Sequence, residues 1–437
     1  MTPMVIGIII FSVLLITIAI GVPVAFALGS VSVFAILVFI GDPAASLPAL
    51  AQISWSTAAH FTLCCVPMFI LMGEIVNTSG MSRGLYEFTS KWLSFLPGGL
   101  AIASCIACGI FGAISGSSVA TAATIGMIAV PEMTRRGYSE KLAMGTTAAG
   151  GALGILIPPS IPLIVYGVIT ETSIGRLFAA GAIPGIVQTF IFSVGILIMA
   201  ILYPQNAPRE KGVLWEERFK SLKGIWPALV LVVAVLGSIY SGVATPSESA
   251  AIGCFTAILI ARFYYKSLTA KTLHAAVMKA IKTSAMIGMI IVGALLFGYV
   301  ISALDVPQTI VASMSNAELS RWEVLILVNV LFFFLGMFLE VISIMVITAP
   351  VIVPIIVAFG WDPIWFAIVM TINMELALIT PPVGLNLYVL KGLFKETSLL
   401  TIIRGIIPFI FLDIFVLVII ILIPSLSLWL PDILYGT

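Results

Sequence analysis

A group of small polar residues, Ser115-Gly116-Ser117-Ser118, lies in the middle of an apolar stretch that runs from 97 to 131. It offers three hydroxyl groups and, where the helix breaks, backbone carbonyl oxygens without a helical partner. Unwound backbone oxygens at the break of a membrane helix are groups that transporters use to bind Na⁺. We therefore predict that Ser115, Gly116 and Ser117 bind Na⁺ and that Ser118 contacts a substrate.

The charges around this stretch predict its path through a membrane. No charged residue occurs between Lys91 and Glu132, and a single helix of this length would be ~50 Å long against a hydrocarbon core of roughly 30 Å. Basic residues flank the stretch on both sides, which predicts that both ends face the cytoplasm. The sequence thus predicts a re-entrant hairpin at about 98–133, whose irregular tip must be buried in protein or line a polar cavity.

A second set of oxygens is predicted in the span that follows, at about 140–170. Pro158 and Pro159 remove two helix amides and leave the carbonyl groups before them without donors. Gly151, Gly154 and Pro158 are therefore candidate sodium ligands. The half-helix that begins near Ser160 presents free amides and a partial positive charge, which would stabilise a carboxylate group of a substrate.

The second half of the chain repeats both features. An apolar stretch at about 322–360 contains Glu340, and a span at about 364–390 is interrupted at Thr380-Pro381-Pro382-Val383-Gly384. The candidate sodium ligands here are Gly336, Glu340, Thr380 and Pro381, and the candidate substrate ligands are Gly384 and Asn386. Two such tips predict two or more sodium ions. The alternative is that Gly and Ser only permit close helix packing.

Prolines show that the two halves are related. Pro23, Pro131, Pro158 and Pro159 recur as Pro246, Pro354, Pro381 and Pro382, each shifted by 223 residues. The first hairpin is flanked by basic residues and the second mostly by acidic ones, so the two enter from opposite sides. The sequence predicts an inverted repeat, 1–202 and 225–437, joined by a polar cytoplasmic loop at 203–224. In secondary transporters the binding site lies where such repeats meet.

Composition identifies the class of protein. With 437 residues, 61% hydrophobic and 9% charged, the chain is typical of an all-α polytopic membrane protein. A topology of ten spans and two hairpins, including spans at 52–77 and 283–303 and an interfacial segment over 266–282, places all basic residues except Arg176 and Arg321 on one side. That side is the cytoplasm, so both termini are expected in the periplasm.

Acidic residues inside apolar segments are costly and therefore suggest function. They are Glu74, Glu248, Glu340, Glu375 and Asp413. Each either takes part in function, lies nearer an interface than the span boundaries suggest, or pairs with a basic neighbour. Only Glu340 lies at a predicted tip.

Enzyme signatures are lacking. The sequence contains neither G-x-x-x-x-G-K-[ST], so ATP is not expected to drive the protein directly, nor H-E-x-x-H. An intramembrane serine protease would need a His beside Ser115, and the two histidines are His60 and His274, the latter in a predicted cytoplasmic segment. We therefore expect a transporter and not an enzyme.

The same motifs resemble those of the large membrane subunit of tripartite ATP-independent periplasmic (TRAP) transporters, the DctM-like or SiaM-like permeases. The segments that carry the resemblance are GAISGSSVATAATIG (112–126), PEMTRRGYS (131–139), GGALGILIPPSIPLIVYG (151–167), GVATPSESAAIG (242–253), GMFLE (336–340) and LITPPVGLNLYV (378–389). They span most of the chain.

The resemblance implies an elevator-type fold of the ion transporter superfamily, in which hairpins and broken helices hold Na⁺ and substrate and move as one domain. It implies Na⁺-coupled import of an organic acid such as a C4-dicarboxylate, a 2-oxo acid or sialic acid. The implied partners are a small four-span membrane subunit and a periplasmic substrate-binding protein, in a bacterial inner membrane. The alternative is a self-sufficient sodium:dicarboxylate symporter of the same superfamily.

Overall fold

The computed structural model describes residues 2–40, 43–209 and 213–436, without the side chains of 43–47. Within these residues the secondary structure is helical and contains no strand, as the all-α prediction requires. The helices of the first part are α1 (Pro3–Ala19), α2 (Val24–Ala35), α3 (Pro43–Ala58), α4 (Cys65–Ser79), α5 (Met81–Leu93), α6 (Gly99–Ser115), α7 (Ser118–Arg135), α8 (Glu140–Ala152), α9 (Ile161–Ile169) and α10 (Ile174–Leu202).

The remaining helices are α11 (Trp215–Val232), α12 (Ser238–Tyr240), α13 (Pro246–Leu259), α14 (Ala270–Ala303), α15 (Val306–Asn316), α16 (Arg321–Gly336), α17 (Val341–Ala358), α18 (Pro363–Ile379), α19 (Leu385–Leu393), α20 (Leu399–Leu422) and α21 (Ser425–Tyr435). Of the predicted loop at 203–224, residues 210–212 lie outside the described residues. Helix α11 begins inside that segment, at Trp215.

Six helical runs among the described residues are long and apolar enough to cross a membrane: Phe61–Ser79, Ile174–Leu202, Trp215–Tyr240, Ala270–Ala303, Val341–Ala358 and Leu399–Leu422. Shorter apolar helices are Pro3–Ala19, Val24–Ile40, Gly99–Ser115 and Pro363–Ile379. Since a helix of about 20 apolar residues spans the hydrocarbon core, this pattern is that of a polytopic membrane protein.

The predicted span at 52–77 is not one helix. Helix α3 ends at Ala58, the 3₁₀ turn Phe61–Cys64 follows, and α4 begins at Cys65. Proline lacks an amide hydrogen and is tolerated in the first turn of a helix but not in its interior. A helix that starts at Cys65 places Pro67 in its first turn, whereas one continuous helix would have to pass through it.

The predicted interfacial segment at 266–282 and the predicted span at 283–303 are, for the most part, one helix. Helix α14 runs through 34 residues and begins with a capping box between Thr269 and Thr272. No proline or glycine occurs between 270 and 287 to end the helix. Two lysines expected at an interface, Lys279 and Lys282, are therefore on the third and fourth turns of a long helix.

Helix α18 lies at the centre of the core. Every residue from Ile364 to Ile379 is buried, so other helices surround α18 on all sides. The indole Nε1 of Trp365 donates to the carbonyl oxygen of Ile420 in α20 at 2.9 Å. The hydroxyl group of Tyr166 in α9 donates to the carbonyl oxygen of Pro363 at 2.7 Å. These bonds fix α18 against one helix from each half of the chain.

Candidate functional site

The first predicted tip is the connection between α6 and α7. Gly116 adopts a positive φ of 60°, a conformation that side chains other than glycine strain to adopt. A Cβ atom there would also lie 3.0 Å from the carbonyl oxygen of Pro159. The hydroxyl group of Ser117 then caps α7 by accepting from the amide of Ala120 at 3.3 Å. The sequence thus ends one helix and starts the next within two residues.

Three oxygens gather at this tip. The hydroxyl groups of Ser115 and Thr121 are 2.9 Å apart, and Thr121 Oγ1 donates to the carbonyl oxygen of Ser117 at 2.7 Å. Ser115 and Ser117 were predicted as sodium ligands, but Thr121 was not. The signal was available, since Thr121 follows Ser117 by four residues and a threonine commonly bonds the carbonyl one helical turn back.

Glycines hold the tip against the first broken helix. A Cβ atom on Gly112 would lie 2.5 Å from the Cα atom of Gly154, and one on Gly151 would lie 2.6 Å from the Cβ atom of Ala122. A Cβ atom on Gly154 would lie 3.1 Å from the carbonyl oxygen of Ser117. Backbones this close leave no room for side chains, so Gly151 and Gly154 have a packing role whatever else they bind.

The break between α8 and α9 follows from its prolines. Pro158 and Pro159 cannot donate to the carbonyl groups of Gly154 and Ile155, four residues earlier. The hydroxyl group of Ser160 supplies the missing donor for Ile155, and also accepts from the amide of Leu163 at the start of α9 at 3.5 Å. Ser160 is fully buried, and its side chain is engaged by the backbone at the start of the half-helix whose free amides were predicted to bind substrate.

The second predicted tip connects α16 and α17 and carries an acid. Helix α16 ends at Gly336, and Glu340 is the N-cap residue of α17. The hydroxyl group of Ser343 donates to Glu340 Oε1 at 3.2 Å. Glu340, Gly336 and Gly384 line one cavity of about 170 Å³. The structure therefore brings two predicted sodium ligands and one predicted substrate ligand to the same space.

The second broken helix is interrupted between Ile379 and Leu385, and Gly384 precedes its second part. This residue has a φ of +50°, and its own Cβ atom would lie 3.1 Å from the carbonyl oxygen of Thr380. The hydroxyl group of Thr380 donates to the carbonyl oxygen of Leu376 at 2.6 Å. The peptide bonds Pro158-Pro159 and Pro381-Pro382 are both cis.

One contact joins the elements of the two halves directly. Asn386 Nδ2 lies 2.8 Å from Ser118 Oγ and donates to the carbonyl oxygen of Ala148 at 3.0 Å. Ser118 Oγ is also 3.1 Å from Asn386 Oδ1. Both side chains are buried. The two residues predicted to contact substrate through their side chains are thus hydrogen-bonded to each other, although 268 residues separate them.

The residues of the two predicted sodium sites are not joined by hydrogen bonds in the described structure. Among the hydrogen bonds of the described residues, none links Glu340 to the Ser115, Ser117 and Thr121 group. The same residues contain no group of three or more His, Cys, Asp or Glu side chains suited to a metal ion. The candidate cation ligands at the tips are therefore hydroxyl and carbonyl oxygens, and the second tip adds one carboxylate.

The remaining acids fall into two groups. Glu74 pairs with Lys279 at 2.8 Å, and Glu248 is exposed in a capping box with Thr245, whose amide donates to Glu248 Oε2 at 2.7 Å. Glu375 and Asp413, by contrast, are fully buried and have no basic partner among the described residues. Both accept a hydrogen bond from the amide nitrogen of Gln188, a neutral residue that was not among the predicted site residues.

Comparison with known proteins identifies what the chain resembles. Residues 11–426 match the family model described as the DctM component of tripartite ATP-independent periplasmic transporters. A C4-dicarboxylate TRAP transporter large permease protein DctM of Vibrio cholerae is 37% identical over 95% of each chain. An isethionate TRAP transporter permease protein DctMQ of Oleidesulfovibrio alaskensis is 35% identical over 94% of this chain and 64% of its own.

A solved structure has a related fold. The YdaH transporter of Alcanivorax borkumensis superposes with a TM-score of 0.56, covering 87% of this chain and 88% of its own, at 15% identity. At that identity the likeness concerns the fold alone. The arrangement of helices found here is therefore similar to that of a solved transporter structure.

Proposed function

The chain belongs to the DctM family of tripartite ATP-independent periplasmic transporters and is a large permease subunit, and from this premise we propose that it imports a small organic anion coupled to Na⁺. The observation that carries the proposal is the hydrogen-bonded pair Ser118 and Asn386. It lies where the first helix tip meets the second broken helix, the kind of place where repeat transporters bind substrate.

The chemistry of the site favours an anion beside a cation. Helices α7, α9 and α19 begin beside Ser118, Ser160 and Gly384, and helix N-termini attract carboxylate groups. The side chains of Ser118 and Asn386 form hydrogen bonds with each other when nothing else is bound. A substrate carboxylate that accepts from both would replace their mutual bonds at little cost, since the exchange conserves the number of hydrogen bonds.

Sodium is proposed at both tips. The first set of ligands comprises the hydroxyl groups of Ser115 and Thr121 and the carbonyl oxygen of Ser117. The carbonyl oxygens of Gly154 and Pro158 belong to the same set. They have no helical donor, because the residue four positions after each is a proline, which has no amide hydrogen. Glu340 is the charged ligand of the second set. Two Na⁺ ions beside one carboxylate site would make substrate binding depend on the sodium gradient, because each ion offsets the substrate's charge.

The rest of the proposal concerns architecture. The hairpins at 98–133 and 322–360 and the broken helices at 140–170 and 364–390 form one inverted-repeat domain that alternates between the two sides of a bacterial inner membrane by an elevator movement, with both termini in the periplasm. The partners are a small four-span subunit and a periplasmic substrate-binding protein. Among carboxylates, a C4-dicarboxylate is the first substrate to test, since a relative of that name is similar throughout its length.

Uptake into liposomes tests this proposal. The permease is reconstituted with its small subunit, the binding protein and a radiolabelled C4-dicarboxylate are added outside, and an inward Na⁺ gradient is imposed. We expect uptake that needs all three proteins and Na⁺. The Ser117→Ala and Asn386→Ala variants should lose Na⁺-dependent uptake, whereas Ser30→Ala, which removes a hydroxyl bonded only within α2, should retain it.

Two results would contradict the proposal. Uptake that is unchanged when K⁺ replaces Na⁺ would remove sodium coupling. Na⁺-dependent uptake by the permease alone would instead favour the self-sufficient symporter.

A further inference from the structure

Three polar side chains meet inside the helix bundle, away from the helix tips. Gln188 of α10, Glu375 of α18 and Asp413 of α20 are all fully buried. Gln188 Nε2 donates to Glu375 Oε2 at 2.5 Å and to Asp413 Oδ1 at 2.6 Å. Because one nitrogen contacts both carboxyl groups, the two acids lie side by side.

This group is short of hydrogen-bond donors. A glutamine amide has two N–H groups, and both are engaged by the two acids. Gln188 Oε1, Glu375 Oε1 and Asp413 Oδ2 are buried and have no hydrogen-bond partner. Buried polar atoms are rarely left unpaired in proteins, so three acceptors on one group point to a bound species that the protein atoms do not provide.

Among the residues that the structure describes, no basic side chain forms an ion pair with either acid. Arg176, on the first turn of α10, lies about 18 Å from Gln188 along the helix at 1.5 Å per residue and pairs with Asp432. Arg404 is about 13 Å from Asp413 along α20 by the same rise. The other titratable groups on the helices packed around the three are Cys105, Cys108, Glu140, Lys141, Tyr166, Tyr240, Arg321, Glu323, Glu340, Asp362, Tyr388, Lys391 and Tyr435.

None of these groups contacts the acids in the described structure. Tyr166 donates to the Pro363 carbonyl, Glu340 accepts from Ser343, and Asp362 caps α18.

We propose that Glu375 and Asp413 form a proton-binding site, with Gln188 as the positioning residue that holds both carboxyl groups. Two adjacent ionised carboxylates without a cation would be strongly destabilising inside a membrane protein, because both desolvation and mutual repulsion oppose ionisation. A proton on the pair removes one of these charges. It also turns one unpaired acceptor into a donor, which reduces the number of buried acceptor atoms that have no donor.

Infrared spectroscopy tests this site directly. The C=O stretching band of a protonated carboxyl group is separate from the bands of a carboxylate, so the purified permease is measured in lipid at neutral pH. We expect a protonated-carboxyl band in the wild type. Labelling with ¹³C-glutamate or ¹³C-aspartate should shift it, which assigns the band to a residue type without any substitution.

Variants then assign the band to the pair. The Glu375→Gln and Asp413→Asn double variant, which mimics the neutral state and should fold, is expected to lose the pair's share of the band. Glu74→Gln is the matched control, because Glu74 pairs with Lys279 and should leave the band unchanged. Gln188→Leu removes the amide donor, so the band should move to higher frequency without disappearing.

Two outcomes would overturn the assignment. An identical protonated-carboxyl region in wild type and double variant would show that the pair holds no proton. A band that disappears when NaCl is added at constant pH would assign the site to a sodium ion instead. Because the readout is a spectrum of the resting protein, either result leaves the transport proposal untouched.

Discussion

The two helix tips make the same kind of connection with different chemistry. The first, between α6 and α7, is neutral: its hydroxyl groups bond to each other and to the Ser117 carbonyl, and Gly112 presses it against the backbone of Gly154. The second, between α16 and α17, ends on the carboxyl group of Glu340 beside a cavity of about 170 Å³. We conclude that the first tip depends on backbone fit and the second on charge.

The largest effect is expected from Gly112→Ala. The added Cβ atom would lie 2.5 Å from the Cα atom of Gly154, and relieving such overpacking typically costs about 1–3 kcal/mol. Thermal unfolding in detergent should show a lowered Tm. Gly392→Ala is the control, since nothing lies within 4 Å of its Cβ position; equal Tm values for the two variants would contradict a first tip held by backbone fit.

The next effect, measured on uptake, is expected from Asn386→Ala. The change removes the hydrogen bonds from Asn386 to the buried Ser118 hydroxyl and to the Ala148 carbonyl, and a typical hydrogen bond contributes about 0.5–1.5 kcal/mol. We expect initial uptake rates at least about tenfold lower, since 1.4 kcal/mol corresponds to a factor of ten. Asn329→Ala removes a similar amide contact, to Asn373, that does not join the halves. Equal losses in both variants would argue against a special role for the junction.

Glu340→Gln tests the charge of the second tip. A neutral amide keeps the size of the side chain but removes the only charged ligand proposed for Na⁺, so the Na⁺ concentration for half-maximal uptake should rise roughly tenfold, as for loss of a charged hydrogen-bonding group. Ser115→Ala should raise this Na⁺ concentration less, because neighbouring oxygens remain as ligands. Glu318→Gln, at an exposed acid beyond α15, should leave the same Na⁺ concentration unchanged. A Ser115→Ala effect larger than that of Glu340→Gln would reverse the comparison.

The smallest effect is expected from Glu132→Gln at the C-terminal end of the first hairpin (98–133). Partial burial acts to raise the pKa of Glu132, but hydrogen bonds and charge attraction from Arg136 and Arg135, each at 2.6 Å, outweigh it and lower that pKa. The ion pairs therefore stabilise the fold above the unfolded-state pKa, and this contribution is lost as the pH falls through the folded-state pKa.

The second hairpin has isoleucine at the equivalent position, 355, so this small contribution belongs to the first hairpin alone. Exposed ion pairs contribute about 0–1 kcal/mol. Melting curves of wild type and variant should differ slightly at neutral pH and converge in acid; a difference that grows in acid would contradict the assignment.

The helix breaks that carry the candidate site could be predicted because local chemistry determines them. A Ser-Gly-Ser-Ser group in an uncharged stretch and a Pro-Pro pair each interrupt a helix regardless of tertiary context, and the structure has helix ends at Ser115, Ser118 and Leu385. The small residues around them reveal where backbones approach closely. The family, too, followed from these motifs and was confirmed by the comparisons.

What could not be predicted depends on contacts between distant segments. Nothing in the sequence around Gln188 indicates that two acids, 187 and 225 residues later, bond to its amide. The mutual bonds of Ser118 and Asn386 likewise require the fold, although both residues had been chosen. The break before Phe61 was missed because no charged residue lies between Asp42 and Glu74 to mark it, and only the position of Pro67 favours a new helix start.

Sodium binding to the purified permease tests the central claim, that the two tips are the ion sites, most directly. Radioactive Na⁺ is titrated onto the protein in detergent without substrate, in wild type, Ser117→Ala, Glu340→Gln and the double variant. The account predicts saturable binding that each single variant weakens and the double variant abolishes. Binding of unchanged affinity and stoichiometry in the double variant would contradict it.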